Sequence, residues 1–189
     1  MAEWGFNFAR IPMSYWSWSK PEDWMNIDEN VFKIVDQLIE FGKKYHIHIC
    51  LNLHRIPGYC INGREREPMD LFEGSDENKT KALKAAVFHW KFIAERYKGI
   101  HNELLSFDLI NEPPGIPASV YVPVAKALIE AIRKPDKKRL IFTDGLNVGT
   151  KPIPELIDMD LVQSTRGYAP AQITHYKASW VNMYKDGSW

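Results

Sequence analysis

Residues 104–114 read Leu-Leu-Ser-Phe-Asp-Leu-Ile-Asn-Glu-Pro-Pro, an apolar run that becomes polar at its carboxyl end. A short apolar run with this boundary predicts a strand buried inside a sheet. Pro113 disfavours helical backbone at the residue before it, so we expect Glu112 to be extended. The segment therefore predicts a buried strand over residues 104–111 that presents the Glu112 carboxylate at its end.

The same arrangement recurs on both sides of this strand. Apolar, β-branched runs predict further strands over residues 6–12 (ended by Pro12), 46–54, 139–144 and 161–164. Helical spacing of apolar residues lies between them, over residues 27–44 (with Asp28 as N-cap), 78–97, 119–133 and 154–157. Strands that alternate with helices predict βαβ units, a parallel sheet and an α/β fold.

A parallel sheet of this kind closes either as a doubly wound open sheet or as a (β/α) barrel. No glycine-rich phosphate fingerprint follows the first strand, which argues against the nucleotide-binding open sheet. In a barrel the carboxyl ends of the strands meet at one mouth, where polar residues are expected. Such residues occur at or just beyond the predicted strand ends: Arg10, His54, Asn111, Glu112, Asp144, Arg166 and Tyr168.

The number of βα units is smaller than a closed barrel needs. A complete barrel has eight strands and about 250 residues, whereas this chain has 189 residues and about five recognisable units. We therefore expect residues 1–189 to form a single domain, a partial (β/α)8 TIM barrel.

Composition excludes several classes of function. Lys and Arg together number 24, as do Asp and Glu, so no net charge marks a nucleic-acid or membrane partner. Neither a membrane-spanning run nor a signal peptide is visible, and no cofactor motif is present. Cys50 and Cys60 predict two reduced thiols, because no disulfide framework exists. His46 and His54 lie about 26 Å apart along one extended strand, too far to share a metal ion.

Two groups of residues have both a functional and a structural interpretation. Glu112 is either a general acid for a leaving oxygen or a solvated carboxylate at a strand end. Tyr15 and Trp16, in the loop after the first strand, either form a stacking platform for a sugar ring or pack against the following helix. The residues alone leave both choices open.

Several motifs in register resemble glycoside hydrolase family 5, the cellulase family of (β/α)8 barrels within a clan of retaining β-glycosidases. The matching segments are Gly5-Phe6-Asn7-Phe8-Ala9-Arg10-Ile11-Pro12, Leu51-Asn52-Leu53-His54-Arg55-Ile56-Pro57-Gly58-Tyr59, Phe107-Asp108-Leu109-Ile110-Asn111-Glu112-Pro113, Arg166-Gly167-Tyr168-Ala169-Pro170 and Thr174-His175. Their order and spacing extend the resemblance over nearly the whole chain.

The resemblance implies a role for each of these strand ends. It implies that Glu112 is the catalytic acid/base and that Asn111 holds the sugar 2-hydroxyl. It also implies that Arg10 and His54 orient the carboxylates and line the subsite. Tyr168 corresponds to the tyrosine of the family's His-x-Tyr pattern, where this chain has Arg166 in place of the histidine. That exchange replaces a ring base by a permanent cation.

By the same resemblance the chain holds the family's second to sixth strands and lacks the first, seventh and eighth. The family's nucleophile glutamate belongs to the seventh strand, and the acidic residues after Glu155 are Asp158, Asp160 and Asp186. A retaining enzyme needs two carboxyl groups, so we expect doubtful activity from this chain alone on β-linked oligo- or polysaccharides. The alternative is an inactive glycan-binding or structural half-barrel. In either case we expect a homo-oligomer, a dimer through the open edges, while the family implies a secreted parent.

Overall fold

The computed structural model describes residues 1–180, and its sheet follows the chain order. Five strands pair in parallel in the order β1-β2-β4-β5-β6, and the short β3 pairs antiparallel with β2. Their bounds are Phe8–Ser14, His48–Ile56, Tyr59–Cys60, Leu105–Asp108, Ile141–Asp144 and Val162–Ser164 for β1 to β6. Because the order never reverses, the sheet is singly wound, and the described residues form an arc of a (β/α) barrel. The α/β fold and the partial barrel are confirmed.

Five helices connect or follow these strands: α1 Phe32–Tyr45, α2 Asp76–Arg96, α3 Ala118–Arg133, α4 Leu146–Gly149 and α5 Ala171–Thr174. The predicted cap Asp28 accepts a 3.0 Å hydrogen bond from the amide of Asn30, in the 3-10 turn Glu29–Val31 that leads into α1. Ser75 caps α2 in the same way, since its hydroxyl accepts from the amide of Asn78 at 3.3 Å. The short helix predicted over residues 154–157 is a 3-10 helix, Pro154–Met159.

The first strand differs from its prediction, because β1 continues through Pro12 to Ser14. Pro12 pairs in register with Asn52 of β2, and β1 has no second neighbour among residues 1–180. A strand that pairs on one side only tolerates a residue without an N–H, so proline does not end it.

The core lies between the strands and the long helices. Trp90 of α2 is fully buried, its ring packs on Phe107 of β4, and its Nε1–H donates to the carbonyl of Leu109 at 3.1 Å. At the amino end of the sheet, buried Arg139 donates to the carbonyls of Leu105 and Ile100, both at 2.8 Å. Polar groups at the amino ends of barrel strands contribute to stability, whereas functional groups are expected at the carboxyl ends.

Both cysteines are free thiols, as predicted, and both are buried. Cys60 lies in strand β3. Burial raises the pKa of the Cys50 thiol to about 12, so the thiol stays neutral. No helix within residues 1–180 combines the length and the apolar character needed to cross a bilayer.

Candidate active site

One guanidinium group joins the middle of β1 to the carboxyl end of β4. Arg10, on β1, donates from Nε to Asp108 Oδ2 at 2.7 Å and from Nη2 to Asn111 Oδ1 at 2.9 Å. The same guanidinium lies 3.8 Å from Asp144 Oδ2, at the end of β5. Sequence reasoning expected Arg10 and Asn111 at a common mouth, and the structure brings them together.

Glu112 has a left-handed backbone, which corrects the expectation of an extended residue before Pro113. Its φ is 49°, a region that costs a residue other than glycine about 1 kcal/mol. Two hydrogen bonds hold it there: the amide donates to Asp144 Oδ2 at 2.8 Å, and the carbonyl accepts from the Tyr59 hydroxyl at 2.7 Å. The tertiary contacts therefore override the local preference set by proline, and they fix where the carboxylate leaves the chain.

The carboxylate of Glu112 receives two donors on one oxygen. Arg166 Nε donates to Glu112 Oε1 at 3.2 Å, and the Tyr168 hydroxyl donates to the same oxygen. Burial, followed by the contact with Glu112, raises the pKa of the Tyr168 hydroxyl, so it remains a proton donor. The glutamate and both donors thus form one cluster.

Two buried carboxylates lie beneath this cluster. Asp144 is fully buried and accepts from Arg166 Nη2 and from the Ser164 hydroxyl, in addition to the amide of Glu112. Burial, and next the neighbouring Asp144, raise the pKa of Asp108 to about 6, while Arg10 opposes the rise. Two arginines facing two buried acids keep the local charge close to balance.

Some buried polar atoms at the strand ends have no protein partner within residues 1–180: His54 Nδ1 and Asn111 Nδ2. Burial, and then the charge of Arg10, lower the pKa of His54, which favours its neutral form. Buried polar groups normally have a hydrogen-bond partner, so a polar ligand or water would satisfy these atoms. Within the same residues, no group of three or more His, Cys, Asp or Glu side chains is arranged to hold a metal ion.

Of the two interpretations of Tyr15, the structure supports packing and not a sugar-stacking platform. Tyr15 is 0% exposed, and its hydroxyl donates to Glu67 Oε2 at 2.8 Å, so no ring face is open to a ligand. Trp16 is half-buried, and the guanidinium of Arg55 lies over its ring at 4.0 Å from the centroid. Arg55 in turn pairs with the buried Glu67 carboxylate.

Sequence reasoning did not single out Asp108, Tyr59 or Ser164 for the site. Ser164 lies two residues before Arg166, and strand alternation places such residues on one face, so a signal existed. Tyr59 follows a turn whose course the sequence does not specify, and no signal identified it.

Comparison with known proteins identifies the family of the chain. The sequence profile described as Cellulase (glycosyl hydrolase family 5) matches residues 1–186. Endoglucanase C of Acetivibrio thermocellus is 28% identical over 184 residues, which cover 95% of this chain and 51% of that protein. Glucan 1,3-beta-glucosidase D of Emericella nidulans is 32% identical over 119 residues, 60% of this chain and 14% of that protein.

Solved structures of similar proteins share the fold of this chain. A crystal structure of a glycoside hydrolase superposes with a TM-score of 0.90 and 42% identity over 97% of this chain and 56% of its own. Endoglucanase Cel5A of Thermotoga maritima has a TM-score of 0.75 at 24% identity, with 97% and 56% covered, and this likeness concerns the fold alone. The chain thus spans about half the length of these two structures, and about half that of Endoglucanase C. With the profile matching residues 1–186, the chain belongs to glycosyl hydrolase family 5, the cellulase family.

Proposed function

We propose that Glu112 is the general acid/base of a site that acts on β-linked glucan chains, and that Arg10, His54, Asn111 and Tyr168 hold the sugar around it. One observation carries the proposal: Glu112 lies at the carboxyl end of the barrel arc, in a strained backbone conformation, with donors on one of its oxygens. Strain at a residue that tertiary contacts over-determine is characteristic of functional positions.

The assignment of a β-glucan rests on the family and on the names of its relatives, among which are endoglucanases. The unpartnered atoms His54 Nδ1 and Asn111 Nδ2 support a polyhydroxylated ligand, because sugar hydroxyls both donate and accept hydrogen bonds. The Arg55 guanidinium covers one face of the Trp16 ring, so only the opposite face can stack on a sugar.

We propose further that residues 1–180 bind glycan but do not supply the second carboxylate that rapid cleavage needs. A retaining glycosidase places a nucleophile about 5–5.5 Å from the acid/base. The carboxylates next to the Glu112 cluster, Asp108 and Asp144, are buried and held by arginines, so neither is available to attack a sugar carbon. Asp186, the last acidic residue of the sequence, lies outside the described residues.

Hydrolysis and binding assays test these proposals together. The full chain is incubated with an aryl β-cellobioside and titrated with cellohexaose, beside Glu112→Gln and the exposed helix control Glu95→Gln. We expect cellohexaose binding by all three proteins and slow cleavage, if any, that only Glu112→Gln abolishes. Absence of binding by the unsubstituted chain contradicts the glycan site. Cleavage that survives Glu112→Gln contradicts its acid/base role.

A third proposal concerns self-association of this single domain. An open groove of about 570 Å³, with a mainly apolar lining, runs between β1 and α1; its lining residues include Ala9, Ile11, Leu38, Phe41 and Ile47. Phe41 is 55% exposed in this groove. An apolar surface of this kind favours a second copy of the chain. Light scattering of the unsubstituted chain should give the mass of a dimer, and Phe41→Asp should give the mass of a monomer. A monomeric mass for the unsubstituted chain at micromolar concentration contradicts the proposal.

A further inference from the structure

Arg166 has a larger role in the site than its partnership with Glu112 alone suggests. Its guanidinium donates from Nε to Glu112 Oε1 at 3.2 Å, from Nη1 to the Ser164 hydroxyl at 3.3 Å, and from Nη2 to Asp144 Oδ2. The side chains of Arg166 and Glu112 are each only 15% exposed, and that of Asp144 is fully buried. One cation therefore connects the ends of β4, β5 and β6 at the mouth.

The backbone of Arg166 is seated on a strained turn. In Leu146–Gly149, Asn147 and Val148 have φ values of 52° and 62°, and a β-branched residue rarely adopts such a value. The amides of these two residues donate to the carbonyls of Pro114 at 3.2 Å and Pro113 at 2.9 Å, directly after Glu112. The turn is thereby fixed to the chain that carries the glutamate.

Gly149, the last residue of the turn, contacts Arg166 directly. Its carbonyl accepts from the amide of Arg166 at 3.1 Å, and its φ is 76°. A Cβ on Gly149 would lie 2.7 Å from Arg166 Cγ, closer than real contacts allow. The arginine stem therefore passes directly over a position that only glycine leaves open.

The hydrogen bonds distinguish the two oxygens of Glu112. Oε1 accepts from both Arg166 and Tyr168, so both of its lone pairs are used. Oε2 has no partner among residues 1–180. A proton on Oε1 would compete with two donors, whereas a proton on Oε2 would not.

We propose that Arg166 is the positioning residue of this site: seated by the Leu146–Gly149 turn, it fixes Glu112 Oε1 and leaves Oε2 as the oxygen that exchanges a proton with the ligand. The Oε2–H bond breaks as the glycosidic oxygen gains the proton, and the resulting Glu112 carboxylate remains paired with the guanidinium. The assignment of Oε2 rests on the proposed role of Glu112, but the positioning itself does not.

Nuclear magnetic resonance of the full chain, labelled in arginine side chains and glutamate carboxyls, tests the positioning without any turnover. The Arg166 Nε–H signal is identified by its loss in Arg166→Lys. We expect Glu112→Ala to speed exchange of this proton with water about tenfold or more, since a charge-assisted hydrogen bond is lost. We expect the Glu112 carboxyl signal to move in Arg166→Lys and to stay in place in Arg96→Lys, an arginine paired with Asp36 instead.

Gly149→Ala displaces Arg166 without removing its charge, and Gly99→Ala is its control. Gly99 has a φ of 85° with nothing within 4 Å of the added Cβ, so it shares the backbone strain and lacks the contact. Arg166 Nε–H exchange that is faster in Gly149→Ala, but unchanged in Gly99→Ala, supports the positioning. Exchange that is unchanged by Glu112→Ala, or equally changed by both glycine variants, overturns it. If Gly149→Ala does not fold, the carboxyl signal in Arg166→Lys decides.

Turnover separates this proposal from the proposed function. If the chain cleaves an aryl β-glycoside, Arg166→Gln should lower kcat about tenfold or more and leave KM nearly unchanged, as expected when a reacting group is misplaced. A chain that neither binds nor cleaves contradicts the proposed function, while the exchange measurement still decides the role of Arg166. A fall in binding with kcat intact overturns the assignment of Oε2.

Discussion

Ionisation of Asp108 should lower the stability of the fold as the pH rises, opposite to the usual behaviour of a salt-bridged carboxylate. Its pKa is raised from 3.8 to about 6, first by burial and next by Asp144, despite the 2.7 Å contact with Arg10. Below about pH 4 the carboxyl is protonated in both the folded and the unfolded chain. Between about pH 4 and pH 6 only the unfolded chain releases the proton, so unfolding becomes easier.

The magnitude follows from the size of that change. At 1.36 kcal/mol per pKa unit, a rise from 3.8 to about 6 corresponds to about 3 kcal/mol of unfolding free energy lost between about pH 4 and pH 7. The side chain introduced by Asp108→Asn cannot ionise, so this variant should lose none of that unfolding free energy. The amide oxygen can still accept from Arg10, so the geometry is preserved.

The assay is urea unfolding across this pH range, followed by tryptophan fluorescence. His89 has the opposite dependence, because burial lowers its pKa from 6.5 to about 4, so the net curve of the parent is flattened. The informative quantity is therefore the difference in unfolding free energy between parent and Asp108→Asn at each pH. We expect this difference to fall by about 3 kcal/mol as the pH rises. Asp158→Asn, at an exposed position, controls for the substitution itself.

A difference that stays constant, or that grows with pH, would refute the reasoning. Growth would mean that the ion pair with Arg10 outweighs burial and the repulsion from Asp144. The balance between ion pairing and burial at Asp108 also matters for the site, because Arg10, the partner of Asp108, holds Asn111 as well.

Three further outcomes follow from the structure. His89→Gln should remove a loss of up to about 3 kcal/mol in unfolding free energy on acidification from pH 6.5 to about pH 4, seen as a smaller pH dependence of the urea midpoint. Trp90→Ala should destabilise by about 3–5 kcal/mol in chemical unfolding, whereas Ile34→Ala, 64% exposed, should change little. Glu67→Leu leaves the Arg55 guanidinium without its buried partner and should cost about 3–5 kcal/mol; an unchanged melting temperature would contradict this.

The alternation of apolar runs and helical spacing was enough to establish an α/β fold with parallel strands, because side-chain periodicity is a local property of each segment. The polar residues at the strand ends indicated where a site would form, since parallel strands bring their carboxyl ends to one edge. Strand limits were less certain: the expected strand over residues 104–111 is β4, Leu105–Asp108. Beyond Asp108, Leu109 and Asn111 still bond to the neighbouring strands.

Only the tertiary structure decided how the site is assembled. Proline alone predicted an extended Glu112, but hydrogen bonds from Tyr59 and to Asp144 hold it in the left-handed region. Tyr15 was an equal candidate for stacking or packing, and the structure supports packing through a hydrogen bond that its hydroxyl donates to Glu67, 52 residues away. These contacts join residues far apart in the chain, and their energies depend on burial and on distances that no local pattern encodes. The sequence by itself determined which elements form and where their polar ends lie; long-range packing determined which of those ends meet and in what geometry.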